Sequence, residues 1–263
     1  MEFTVLASGS KGNATYLEIG NDKILIDCGL SYKQVNLRLA ELNKSIEGLS
    51  KIFITHEHSD HVGQLSMFAK KHDVKIYLSE GSLRNLSKKI RYVIDSTKFN
   101  VIVPEEKLEF DGYSVLPFAV YHDAFEPFGY RFFENEKSLV YITDTGYFPT
   151  RKFHLISNAE AYVIESNHEV EMLLESDRPW LLKRRILDDE GHLSNEDSAN
   201  LLLNLSGEKT KVIILAHLSE ECNVESKALE AYNKVFLDQG VDIDSYKIIV
   251  AKQHCSTELI SLE

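Results

Sequence analysis

Short apolar runs recur along this chain, and a histidine or a carboxylate closes many of them. Residues 3–7, 15–19 and 23–27 are β-branched and apolar, with Gly20-Asn21-Asp22 between the last two, and they predict three strands. Residues 51–55 read as a buried strand. Further strands are predicted at 75–78, 107–110, 113–121, 128–133, 139–143, 161–164, 211–216, 246–251 and 257–262, with Asp111-Gly112 as a hairpin turn. Helical spacing of apolar positions marks 31–43 through Val35, Leu37, Leu39 and Leu42. It also marks 62–71, and 224–238 through Leu229, Tyr232 and Phe236 with Gly240 past the end. Ser194-Asn195-Glu196-Asp197 is a capping pattern that opens a helix to about residue 205. The pattern alone supports an α/β or α+β chain. No repeat or Pro/Gly-rich linker interrupts it, and residues 1–263 are expected to form one domain.

Composition narrows the function classes. The chain is 43% hydrophobic, enough for a large core, and carries a formal charge of −12, which disfavours indiscriminate binding to polyanions. No run approaches the roughly 18 apolar residues of a membrane span, and the N-terminus lacks the form of a signal peptide. Cys28, Cys222 and Cys255 make an odd set without C-x-x-C spacing, which fits reduced thiols in a cytoplasmic protein; Cys28 reads as a small core residue.

The densest chemistry lies in Thr55-His56-Glu57-His58-Ser59-Asp60-His61, between a predicted strand and a predicted helix. His56 and His58 share a direction if the turn is extended, and Asp60 and His61 reach a second point nearby. Other donors end strands downstream: His122, Asp144, Glu165 and His217. His56, His58, Asp60, His61, His122, Asp144 and His217 outnumber the four ligands of a tetrahedral site and suit two divalent ions about 3.5–4 Å apart. Imidazole with carboxylate suits Zn²⁺, Mn²⁺ or Fe, and no thiol is required. Elsewhere the residues allow two readings. The loop 8–13 is either a plain hairpin connection or a backbone cradle for phosphate beside Asn13. Asp27 reads locally as a turn or capping residue. His168 is either a substrate contact or a surface residue. His72, His154 and His254 read as surface residues. The stretch 81–91 reads as a helix. Its basic groups Lys88, Lys89 and Arg91, and the later Lys183, Arg184 and Arg185, are either solvated faces or contacts to a nucleic-acid backbone.

His56-x-His58-x-Asp60-His61 resembles the metal-binding signature of the metallo-β-lactamase superfamily, and nearly the whole chain resembles its YycJ/WalJ-like group, with ribonuclease Z a more distant relative. The resemblance implies a four-layer αββα sandwich. It implies that His56, His58 and His122 hold one ion, that Asp60, His61 and His217 hold the other, and that Asp144 bridges. Asp27 would brace the ligand loop, Asn13 would face the metal centre, and Asp60 would orient the attacking water held between the ions. Glu165 and His192 resemble the glutamate–histidine pair that protonates the leaving group in ribonuclease Z, which favours phosphoester over thioester chemistry. The implied activity is a 5′-to-3′ exonuclease on DNA in the bacterial cytoplasm, with no membrane and no obligate protein partner. The stretch between Asp144 and His217 is too short for the inserted domain of the β-CASP nucleases, and that between His122 and Asp144 too short for the arm of long ribonuclease Z. The alternatives are a small-molecule hydrolase acting on a cyclic phosphodiester, thioester or lactone, and a non-catalytic module that keeps metal for stability.

Overall fold

The computed structural model describes residues 1–262. Among these the strands belong to two mixed sheets of seven, and the chain divides into two compact units. Among the described residues, 1–119, 124–136 and 252–262 form the first unit; residues 120–123 and 137–251 form the second.

The first unit opens with β1 (Glu2–Ala7), β2 (Ala14–Ile19) and β3 (Asp22–Ile26), paired antiparallel in sequence order. It continues in parallel register through β4 (Leu49–Phe53), β5 (Lys75–Leu78) and β6 (Phe99–Val101). The antiparallel meander β7 (Leu108–Phe110), β8 (Tyr113–Ala119) and β9 (Phe128–Glu134) follows, turning at Asp111-Gly112 as expected, with Gly112 at φ +80°. Helices α1 (Tyr32–Glu41), α2 (Ser59–Val62), α3 (Leu65–Lys71), α4 (Glu80–Asn85) and α5 (Lys88–Arg91) lie between strands. Val35 and Leu39 of α1 and Phe68 of α3 bury against Leu25, Ile52 and Ile76.

Two predicted helices are broken. The run 62–71 splits at Gly63-Gln64, because the Gln64 N–H donates to the Cys28 carbonyl at 2.9 Å instead of continuing a helix. The run 81–91 splits at Leu86, which turns extended (φ −51°, ψ 136°) to bury its side chain in the core. Leu37, counted on the apolar stripe of α1, is instead 48% exposed, and the buried Arg38 donates to the Leu6 and Gln253 carbonyls.

The second unit holds β10 (Lys137–Ile142), β11 (Ala161–Glu165), β12 (Val212–Ala216) and β13 (Lys247–Val250), all parallel. β11 and β12 are buried throughout, the near-continuous apolar pattern of a parallel sheet covered on both faces. Between the strands run α6 (Phe153–Ile156), α7 (Val170–Glu175), α8 (Trp180–Leu187), α9 (Asn195–Leu205) and α10 (Glu225–Asp238). The capping pattern forms as expected: Ser194 Oγ accepts the Asp197 N–H at 3.1 Å and so satisfies one of the first-turn donors of α9. The last predicted strand shrinks to β14 (Ile260–Ser261), which pairs with β1 in the first unit. No helix among the described residues is long and apolar enough to cross a membrane.

Candidate active site

Sharp turns at strand ends position the expected donors. Asp27 and His217 directly follow β3 and β12, and Asp144 lies two residues past β10. All three are in the left-handed region, at φ +59°, +57° and +55°. Non-glycine residues rarely adopt that conformation, and each such position costs on the order of 1–3 kcal/mol that surrounding contacts must offset. Here the turn aims a polar side chain off the end of an apolar strand.

In the first unit the loop 55–61 is stitched to the end of β3. The Cys28 N–H donates to the His61 carbonyl at 2.7 Å, and the Asn13 N–H to the Asp60 carbonyl at 2.8 Å. A Cβ at Gly29 would fall 1.6 Å from the Asp60 carbonyl oxygen, so only glycine fits there.

Asp27 is fully buried and organises the ring nitrogens. Its Oδ1 accepts the Thr55 N–H at 2.9 Å; its Oδ2 lies 2.8 Å from both the Thr55 hydroxyl and His61 Nδ1. A carboxylate only accepts, so His61 carries its proton on Nδ1 and presents Nε2 as the lone-pair nitrogen. The Thr55 hydroxyl gives its one proton to Asp27 and can therefore only accept from His56 Nδ1, 3.1 Å away. His56 is thereby fixed in the same tautomer. Burial pushes the Asp27 carboxyl up from its ordinary value, against the opposing pull of His61 and the Thr55 donors. The His56 ring lies 4.0 Å from that of His61 and 4.6 Å from that of half-buried His58. Asn13 accepts the Gly9 N–H on Oδ1 at 2.8 Å. That orients its amide N–H groups toward Asp60 Oδ2 (3.2 Å) and His61 Nε2 (3.0 Å), the lone pairs a cation would use.

In the second unit Glu165, fully buried at the end of β11, accepts on both oxygens. Oε1 takes His192 Nδ1 at 2.8 Å and His217 Nδ1 at 2.9 Å; Oε2 takes the N–H groups of Thr145 and Leu193 at 2.9 and 3.2 Å. Burial alone would raise this carboxyl, but the charges and hydrogen bonds of His192 and His217 outweigh it and hold Glu165 well below the usual range. Asp144, Glu165, His192 and His217 each bring a donor atom within 4.8 Å of the others. Proton positions nevertheless argue against Glu165 as a metal ligand, since its lone pairs are spent on four N–H donors. His217, with Nδ1 on Glu165, is left with Nε2 as the nitrogen that could hold a metal. His122 matches it, since Nδ1 lies 3.2 Å from the Gly191 carbonyl, which only accepts. Burial lowers the His122 pKa, which favours the neutral, ligating form. Asp144 Oδ1 lies 3.3 Å from His217 Nδ1 and 4.0 Å from His122 Nε2. His192 keeps its side chain 20% exposed, with Nδ1 on Glu165.

His56, His61, His122 and His217 thus each have Nδ1 within hydrogen-bond reach of a hydroxyl, a carboxylate or a carbonyl, the support that histidine ligands of metal sites receive. The donor set fits divalent metal.

Several expectations change. The loop 8–13 is not a phosphate cradle, because the N–H groups of Gly9, Lys11 and Gly12 bond to Asn13, Gln253 and Gly9. His168 is not a surface residue: it is 1% exposed, and burial lowers its pKa to about 4. His72 is half-buried with Nε2 3.2 Å from the Tyr32 hydroxyl, whereas His154 and His254 are exposed as expected. Sequence reasoning did not single out Thr55 as the link between two histidines. It also missed Asn167, whose Nδ2 donates to the His217 carbonyl at 2.8 Å, and Glu57, which accepts the Phe125 N–H at 2.9 Å and the Ser82 hydroxyl at 3.1 Å.

Comparison with known proteins extends these observations. A sequence profile of the beta-lactamase superfamily domain matches residues 22–218. The chain is 39% identical to exodeoxyribonuclease WalJ of Streptococcus pneumoniae over 264 aligned positions, which cover 99% of this chain and 98% of that protein. It is 40% identical to exodeoxyribonuclease YycJ of Bacillus anthracis over 243 positions, 92% of each. Among solved structures, Zn²⁺-bound PqqB from Methylobacterium extorquens aligns with a TM-score of 0.72 at 15% identity, covering 98% of this chain and 100% of that one; at that identity the likeness speaks for the fold alone.

Proposed function

The chain belongs to the beta-lactamase superfamily, and on that premise we propose that it is a divalent-metal-dependent exodeoxyribonuclease that removes nucleotides from the 5′ ends of DNA. Its two mixed sheets with helices form the α/β sandwich of that family. The observation that carries the reading is the 39–40% identity to two exodeoxyribonucleases over nearly the full chain. The ligands we propose for two ions are His56, His58, Asp60, His61, His122, Asp144 and His217. Zn²⁺, Mn²⁺ and Fe²⁺ all suit this set. When bound, such ions act as Lewis acids on a phosphodiester and lower the pKa of water.

The protein's own groups complete the reaction. Asp60, half-buried and held by Asn13, orients the attacking water. His192 supplies the proton that a leaving alkoxide needs: an imidazolium keeps Nδ1–H on Glu165 and carries its second proton on Nε2. Glu165 positions His192 and, through the same oxygen, His217, so proton donor and metal ligand move as one body. A DNA substrate places the work in the bacterial cytoplasm, and nothing in the scheme requires a protein partner.

The test is a substrate panel with metal-loaded protein: 5′- and 3′-labelled DNA and RNA beside a cyclic phosphodiester, a thioester and a lactone. Turnover of DNA with early loss of the 5′ label supports the reading. Efficient turnover of a small ester with every polynucleotide left intact would replace it with a small-molecule hydrolase.

A further inference from the structure

We propose that the exposed face of α8 is a binding platform for the single-stranded end of the DNA substrate, with Trp180 stacking on a base and Arg184 holding the neighbouring phosphate. This rests on the nuclease reading above. Trp180 is the chain's one tryptophan, yet it is 64% exposed, and Leu181 beside it is 80% exposed. Arg184 lies four residues after Trp180, hence on the same helical face. It is exposed and has no ion-pair partner among the described residues. Folding does not use this face: α8 buries only Lys183 and Ile186, with Leu182 half-buried.

The helix is nonetheless firmly held, and its anchors lead to the catalytic cluster. Lys183 Nζ donates to the Leu174 and Ser176 carbonyls, both at 2.6 Å, which ties α8 to the end of α7. Arg185 pairs with Asp123, the neighbour of His122. The His192 N–H donates to the Ile186 carbonyl at 3.0 Å, while the Gly191 carbonyl faces His122 Nδ1. A Cβ at Gly191 would meet the Ile186 oxygen at 2.3 Å, so the loop from α8 to His192 folds tightly back on the helix. A strand end seated on α8 is therefore held by an element that is bonded to His192 and to Asp123, the neighbour of His122.

Charge decides between modes of binding. A chain of net charge −12 gains little from many phosphate contacts, and Asp188, Asp189 and Glu190 repel phosphate at the C-terminal end of α8. Stacking on an aromatic ring is indifferent to both, and a guanidinium one helical turn away fits a single phosphate. An aromatic–guanidinium pair on a rigid helix beside a hydrolytic cluster fits a polynucleotide better than a protein partner.

The sole tryptophan makes the test direct. Metal-stripped protein is titrated with oligo(dT) while tryptophan emission is followed, and labelled DNA is followed by anisotropy with Trp180→Ala, Trp180→Tyr and Arg184→Glu. The proposal expects saturable quenching and a dissociation constant raised roughly 5- to 100-fold in Trp180→Ala, largely restored in Trp180→Tyr, and raised also in Arg184→Glu. Unchanged affinity in Trp180→Ala, with wild type still releasing nucleotides from DNA, overturns the platform and leaves the nuclease reading standing. Wild type that cleaves no DNA overturns the nuclease reading instead, and the emission titration still decides α8. Self-association in sedimentation that Trp180→Ala abolishes would make the face an interface between copies and overturn the proposal.

Discussion

Replacing Asp27 by asparagine should weaken metal binding without unfolding the protein. Three donors converge on the carboxylate: the Thr55 N–H, the Thr55 hydroxyl and His61 Nδ1. Asparagine keeps one oxygen, which still accepts the Thr55 N–H. Its amide nitrogen then replaces the other oxygen and faces Thr55 Oγ1 and His61 Nδ1 as a donor. To avoid opposing donors, His61 must move its proton to Nε2. The Thr55 hydroxyl, now accepting from the new amide, turns its own proton toward His56 Nδ1. Both rearrangements take a lone pair away from the metal side of the ring. Loss of such support costs metal affinity roughly 10- to 100-fold, about 1.4–2.8 kcal/mol. The assay is a chelator-competition titration with Zn²⁺ or Mn²⁺ near neutral pH, with the melting temperature of the metal-free variant as a check on folding. Asp27→Ala makes the contrast, since it leaves all three donors without an acceptor, at about 1–3 kcal/mol each, and should lower the metal-free melting temperature as well. A folded Asp27→Asn protein with wild-type metal affinity would refute the tautomer argument.

Further outcomes follow from other contacts. His192→Asn should slow DNA hydrolysis by about 10²–10⁴-fold, but should slow an ester with a p-nitrophenolate leaving group far less, because that group leaves without a proton; equal losses on both would contradict proton donation by His192. Glu165→Gln should reproduce that pattern and also weaken metal binding, because one oxygen serves both His192 and His217; kinetics on the two esters and a metal titration separate the effects. His168 titrates near 4 when folded and near 6.5 when unfolded, so the unfolded chain binds more protons between those values. Stability is therefore lost as pH falls from about 6.5 to 4, by up to about 3 kcal/mol, and thermal melts of metal-free protein should show this acid limb reduced in His168→Gln. Ser194→Ala should cost about 1 kcal/mol through the lost cap of α9, a drop of roughly 2–4 °C by calorimetry.

Much of the fold was readable because apolar runs and strands coincide: β1–β5 and β8–β12 all lie within a residue or two of the predicted bounds. The donors were readable for the same reason, since polar residues at the ends of buried strands stand out against them. What escaped had no local signature. Helices α7 and α8 are six and eight residues long, too short to show a clear period, and α8 leaves Trp180 and Leu181 in solvent, so its apolar residues do not mark a core face. Leu37 misled for the converse reason, an apolar residue placed on the outer face of α1. The split of 62–71 depends on a hydrogen bond from Gln64 to Cys28, far away in sequence. The shared carboxylate of Glu165 joins residues 192 and 217 through folding alone, so its partnership with His217 could not be read from spacing.

The central claim is a metal-dependent exonuclease whose water is oriented by Asp60. The most direct measurement follows nucleotide release from DNA by metal-stripped protein, before and after Mn²⁺, Zn²⁺ or Fe²⁺ is restored, with Asp60→Ala alongside. Stepwise release of nucleotides from the 5′ end, absent without metal, restored with it and lost in Asp60→Ala, is the predicted result. Release that persists in stripped protein, or in metal-loaded Asp60→Ala at the wild-type rate, would contradict the account.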